Sequence, residues 1–267
     1  GALAEYKYGY GNQAFQLVMS NLLNYEDWGL GYIEEVLHGS EYKPAGVCSH
    51  QAWSESMAIQ PLLEGMINIK PDALNKKVSI FTQIPTNFEK LSAENIKFGK
   101  SEIDLAYETD YDNFGYTITG GKGETITLGT KLYTGAIVKS VILNGKQVKY
   151  KIEDGFVTLE FKLVGKSSIR IETEGGVAVD PVITRAVENG KPYGTRILKE
   201  ELKENRYKIE LEIPSGKGES LTLRSSRNIK KIQGANLISL LGKTKIIEVK
   251  QEKIDKNYGK LNVEVEF

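Results

Sequence analysis

The sequence predicts an α+β multidomain chain, a helical segment followed by two β-sandwich domains, on three observations. Both Trp, all three Met, both His and the single Cys fall within residues 1–75, whereas the remainder is rich in Lys, Glu, Gly, Ile and Val. Apolar residues recur at helical spacing in the first part and alternate in short runs afterwards. An eight-residue pattern also returns 95 positions downstream, at 121 and again at 216.

Phe15, Val18, Met19, Leu22 and Leu23 mark a first helix, and Trp53, Met57, Leu62, Leu63, Met66 and Ile67 a second. Pro61 lies inside the second, where its missing N–H predicts a kink unless the helix begins later. Between the helices, Asn24 to Gln51 carries Gly29, Gly31, Gly39, Pro44 and Gly46, the composition of a long loop. Tyr25, Trp28, Tyr32 and Tyr42 argue that this loop is ordered, and long ordered loops in compact domains are usually functional.

After residue 75, runs such as 116–119, 125–128, 140–143 and 168–171 alternate between Gly, Asn and Asp turns, as strands do. Gly121-Lys-Gly-Glu-Thr-Ile-Thr-Leu128 reappears as Gly216-Lys-Gly-Glu-Ser-Leu-Thr-Leu223. The spacing predicts two sandwiches of related topology, over 76–175 and 176–267. A phosphate-binding loop is excluded, because that motif needs Gly five positions before its Gly-Lys, where this chain has Tyr116 and Leu211.

Thirty-five basic residues balance 35 acidic ones, so no positive field recruits nucleic acid or anionic lipid. The most apolar stretch, Met57 to Ile69, is broken by Gln60, Pro61 and Glu64, too short for a membrane span. Cys48, His38 and His50 do not make a zinc ligand set, and no cofactor or metal is implied. The opening residues show neither an initiator Met nor a signal pattern, so the chain reads as a fragment. Its compartment is open, with the lack of disulfides favouring the cytoplasm.

The functional reading rests on residues 28–55. Adjacent carboxylates, Glu34 and Glu35, stand among aromatics and glycines. Aromatic faces pack on the C–H faces of sugar rings, carboxylates bind hydroxyls or activate water, and glycines admit close approach. By itself this composition fits a sugar site and equally a solvated charge pair.

Gly31-Tyr-Ile-Glu-Glu-Val-Leu-His-Gly39, then Pro44-Ala-Gly46, then Gln51-Ala-Trp-Ser54, resembles the closing segment of the catalytic domain in glycogen debranching enzymes and bacterial amylo-α-1,6-glucosidases. The Ala4–Tyr8 segment, Asn12-Gln13 and the run from Gln83-Ile-Pro85 to Asn95-Ile-Lys-Phe-Gly99 are similar to the bacterial group. The resemblance covers about residues 1–110. It implies that residues 1–75 are the terminal helices of an (α/α)6 barrel, and that an α-glucosidic bond is cleaved with inversion.

In that chemistry one carboxylic acid protonates the leaving oxygen and a carboxylate deprotonates the attacking water. By the resemblance Glu35 aligns with the base, with Glu34 as runner-up and the general acid upstream, so the chain alone is expected to be inactive. Trp53 is either core or a sugar contact, and Trp28 and Tyr32 are either platforms or packing. His50 and Gln51 either bind hydroxyls or cap the helix that follows. The implied partner is an oligo- or polysaccharide, an α-glucan by the resemblance. The alternative is a non-catalytic carbohydrate-binding or structural β-sandwich module.

Overall fold

The computed structural model describes residues 1–27, 31, 33–46, 51–190 and 193–267. Helix α1 (Ala2–Lys7), α2 (Gly11–Leu22) and α3 (Ala52–Pro61) precede a π-helix (Leu62–Ile67). The first group of strands is β1 (Ile69–Asp72), β2 (Lys77–Thr82), β3 (Lys90–Phe98), β4 (Ser101–Thr109), β5 (Asn113–Lys131), β6 (Ile137–Leu143), β7 (Lys146–Gln147), β8 (Lys151–Glu153) and β9 (Phe156–Glu174). The second is β10 (Val177–Val179), β11 (Arg196–Lys203), β12 (Arg206–Pro214), β13 (Gly218–Ser225), β14 (Lys231–Gln233), β15 (Asn236–Leu241), β16 (Thr244–Lys250) and β17 (Tyr258–Glu266).

Among the described residues, strands hold 52% and helices 13%. This overturns the expectation of an α+β chain that begins with terminal helices of an (α/α)6 barrel. The helices touch one another and together close on a sheet. Tyr6, Ala14, Phe15, Val18, Met66 and Ile67 share one core with Val78, Ile80, Leu105 and Ile126 of the strands. Helical spacing requires that one face be buried and leaves open what buries it.

The first nine strands form one continuous mixed sheet in the order β1-β2-β5-β9-β6-β7, with β3-β4 added on β5 and β8 on β9. Strands β5 and β9 span 19 residues each and pair over their whole length. Early in β5 the other neighbour is antiparallel β4, and late in β5 it is parallel β2. The change of neighbour falls at two bulges between Gly120 and Glu124, the device that bends a strand and strengthens its twist. Gly120 has φ 93°, and a Cβ there would stand 2.3 Å from the Glu102 carbonyl oxygen, so only glycine fits. Alternation then buries Phe114, Tyr116, Ile118, Ile126 and Leu128.

The remaining strands make two four-stranded sheets, β10-β13-β16-β15 and β11-β12-β17-β14. Val177, Leu221, Leu223, Ile247 and Val249 of one meet Ile197, Ile209, Leu211, Val263 and Val265 of the other in a second core. The eight-residue repeat does not mark equivalent strands. Its first copy lies within β5, between antiparallel β9 and parallel β2, and its second is a turn entering β13, between antiparallel β10 and β16. Gly121 and Gly216 share only left-handed φ values of 71° and 72°, so the likeness is one of turn chemistry.

Helix α2 joins the two cores. Its apolar side enters the first, while Asn12 Nδ2 donates to the Val179 carbonyl at 2.8 Å. Gln16 Nε2 donates to the carbonyls of Val182 and Thr195, both at 2.5 Å. Arg224 adds a half-buried clasp, 2.6 Å from Asp180 and 4.7 Å above the Tyr111 ring. Pro61 does not kink a continuing α-helix. It closes α3, and the chain runs on as the π-helix up to Asn68, at φ 52°.

Candidate functional site

The segment between α2 and α3 is a docked loop. Val36 to Ala45 forms a small hairpin in which Ala45 N–H donates to the Val36 carbonyl (2.8 Å) and His38 N–H to that of Lys43 (2.9 Å), with Leu37 bridged to Pro44. Tyr42 fastens the hairpin to the connector before β11. Its N–H donates to the Gly190 carbonyl and its carbonyl accepts from Asn189 N–H, both at 2.8 Å. Its hydroxyl donates to Asp27 at 2.6 Å and lies against the side chain of Asn24.

Arg185 meets the same Asp27 at 2.9 Å. The hydrogen bond from Tyr42, with help from Arg185 against desolvation, holds the Asp27 carboxyl below its usual range. Burial and the Asp27 contact push the Tyr42 hydroxyl well up. At neutral pH this keeps an anionic acceptor and a protonated donor in place.

That frame fixes the two carboxylates differently. Glu34 is buried beside Ile33, whereas Glu35 is exposed at the base of the hairpin. Gln51 precedes α3 with an extended backbone (φ −117°, ψ 105°) and makes no side-chain cap. Instead its Nε2 donates to Glu35 Oε2 at 2.6 Å. Trp53 follows in the first turn of α3 with 55% of its surface exposed, so it is not core in this chain.

Glu35, Gln51 and Trp53 are thus on described backbone, and two of them touch. Trp28, Tyr32 and His50 lie outside the described residues. Among the described residues no group of three His, Cys, Asp or Glu is placed to hold a metal ion, and no helix is long and apolar enough to cross a membrane.

The Asp27–Tyr42–Arg185 anchor was not legible in the sequence, because Arg185 comes from a segment some 150 residues away. A wide cleft against α1 was equally hidden. Of the residues around it, Tyr6, Tyr8 and Gln83 fall in segments that the resemblance covers without giving them a role, and Asn68 and Lys131 belong to no motif.

No protein-family model matches the chain, and no curated protein matches it. Similar solved structures are glycoside hydrolases. An α-L-rhamnosidase from Dictyoglumus thermophilum is 9% identical with a TM-score of 0.37, the match covering 48% of this chain and 16% of that one. A GH127 β-L-arabinofuranosidase from Geobacillus stearothermophilus T6 is 10% identical with a TM-score of 0.31, covering 80% and 34%. Another GH127 β-arabinofuranosidase is 13% identical with a TM-score of 0.34, covering 95% and 43%. The chain spans less than half the length of each of these proteins. Likenesses of this extent assign neither activity nor substrate, and none of them is with an amylo-α-1,6-glucosidase.

Proposed function

We propose that this chain contributes the general base of a glycoside hydrolase that cleaves an α-glucosidic bond with inversion, in the manner of an amylo-α-1,6-glucosidase. Glu35 takes the proton from the attacking water, and an opposing carboxylic acid, which the resemblance puts upstream, protonates the leaving oxygen. The carrying observation is the 2.6 Å contact of Gln51 Nε2 with Glu35 Oε2. It unites the two separate motif pieces on which the resemblance rests.

In this reading the amide orients one carboxylate oxygen and leaves Oε1 to the water. Trp53, exposed one turn away, packs on a sugar ring, with Trp28, Tyr32 and His50 assigned to the same subsite by the resemblance. Buried Glu34 supports the loop and takes no part in proton transfer.

The test is a pair of substitutions in the complete protein that contains this chain. Glu35→Gln keeps shape and loses the proton acceptor, so kcat falls by about 10²–10⁴ with KM retained. Glu34→Gln lowers thermal stability and leaves kcat within a few fold. Comparable kcat losses in both, or the reverse order, would remove Glu35 from the role. The non-catalytic alternative, a carbohydrate-binding module, has one feature in its favour, the cleft against α1.

A further inference from the structure

A cleft of about 1310 Å³ opens between α1, the π-helix and the face of the first sheet formed by β2, β5, β8 and β9. None of the described residues of the 24–55 loop lines it. We propose that this cleft is a second carbohydrate site, separate from Glu35, that takes a neutral oligosaccharide through aromatic stacking and through polar groups built into its lining.

The first support is a set of polar atoms that the fold leaves without partners. The hydroxyl of Tyr6, Oδ1 of Asn68 and Oε1 of Gln83 are buried and make no hydrogen bond among the described residues, and all three residues belong to the lining of the cleft. Tyr6 is 2% exposed and Gln83 6%. Groups so placed are costly and rare in folded proteins unless something outside the chain meets them. Gln83 Nε2 is committed to the Tyr6 carbonyl at 2.7 Å, which fixes its Oε1 as the free acceptor. Two amide oxygens accept only, so the ligand must carry donors, which excludes a bare phosphate or sulfate.

The second support is the wall. Tyr8, 77% exposed, and Tyr150 both line it. Lys131 is fixed in the same lining, its Nζ donating to the Asp154 carbonyl at 2.8 Å and standing 4.8 Å above the Phe156 ring. Five lysines and four carboxylates line the cleft in all, close to charge balance. Donors and acceptors on every side, with aromatic faces between, match a molecule that has hydroxyls around its edge and C–H groups on its faces.

The test is calorimetric titration of the purified chain with maltoheptaose, xylohexaose and mannohexaose, each alone, alongside Tyr8→Ala, Tyr6→Phe and Trp53→Ala. At least one of the three sugars binds the parent chain and Trp53→Ala alike, and Tyr8→Ala and Tyr6→Phe bind it about tenfold more weakly. Tyr6→Phe unfolds at the same temperature as the parent or higher, because it deletes an unmet hydroxyl. A merely structural tyrosine would lower that temperature and leave affinity alone, and this outcome overturns the proposal. So does binding of none of the three sugars, or binding that Trp53→Ala abolishes and Tyr8→Ala spares. The last result would place the ligand at the loop and uphold only the catalytic reading.

Discussion

At the scale of single residues the fold separates groups that look alike in sequence. Glu34 and Glu35 are neighbours, yet one is buried and the other meets Gln51 at the surface. Glu200 is a further case, a half-buried carboxyl lining a cavity of about 550 Å³ where α2 meets β10 and β11. Burial pushes its carboxyl above the ordinary range, against hydrogen bonds from the Tyr207 hydroxyl, the Val179 N–H and the Asn12 amide. A carboxyl whose pKa is higher folded than unfolded supports the fold fully below the unfolded value, here about 4.5. That support is lost as pH rises through the folded value. Glu200→Gln has no charge to bury and keeps an oxygen for Tyr207. Urea midpoints of parent and variant should coincide near pH 4 and separate toward pH 7 in favour of the variant. Parallel curves would show that Glu200 ionises as freely folded as unfolded.

At the scale of elements, α2 is the joint of the molecule, because Phe15 and Val18 enter the first core while Gln16 reaches two carbonyls of the second region. Gln16→Ala strands both carbonyls, which should cost about 1–2 kcal/mol in chemical denaturation. Ser20→Ala, on the exposed side, should cost only a few tenths. An equal loss in both would mean that α2 joins the cores by packing alone. The periodicity of Phe15, Val18 and Leu22 was enough to place this helix. Alternation likewise placed strands at 116–119, 125–128, 140–143 and 168–171, all within β5, β6 and β9. What pattern did not give was pairing. Period 2 reports which side of a strand is wet, and says nothing of a strand changing neighbours at Gly120, so 113–131 reads as two strands when it is one. The loop motif named Glu35 and Gln51 without their contact, since hydrogen bonding across 16 residues depends on the hairpin between them.

At the scale of the whole molecule the question is which apolar surface the chain leaves open. Terminal helices parted from the rest of a barrel would leave the apolar faces of both helices without cover, and for the first helix this does not hold. Ala14, Phe15 and Val18 are 0%, 3% and 1% exposed, because the first sheet supplies what the barrel was expected to supply. The second is open in part: Met66 and Ile67 are buried, whereas Trp53, Met57, Ile59 and Leu63 are 55%, 62%, 54% and 50% exposed along α3 and the π-helix. Four large apolar side chains in 11 positions make a patch of the kind soluble monomers seldom show without a use. It lies on the segment that holds Trp53 and adjoins Gln51, so the surface beside the proposed base is apolar and open; a second such surface is strand β15, where Leu237, Ile238, Leu240 and Leu241 are 40%, 58%, 57% and 69% exposed. The purified 267-residue chain should therefore bind a hydrophobic dye while folded, and Met57→Ser with Leu63→Ser should lower that signal with little change in the unfolding midpoint. Substituting Phe15 instead should destabilise the chain by about 3–5 kcal/mol, since it empties a filled core. The same preparation should show no turnover of maltooligosaccharides or branched dextrins. Inverting hydrolysis needs two carboxyls about 6.5–9.5 Å apart across the scissile bond, and the proposal assigns one of them, Glu35, to this chain. Turnover that Glu35→Gln abolishes would show that the second carboxyl is here as well. A folded chain that binds no dye would show that the α3 face is covered in solution, and the open patch would lose its place beside the site.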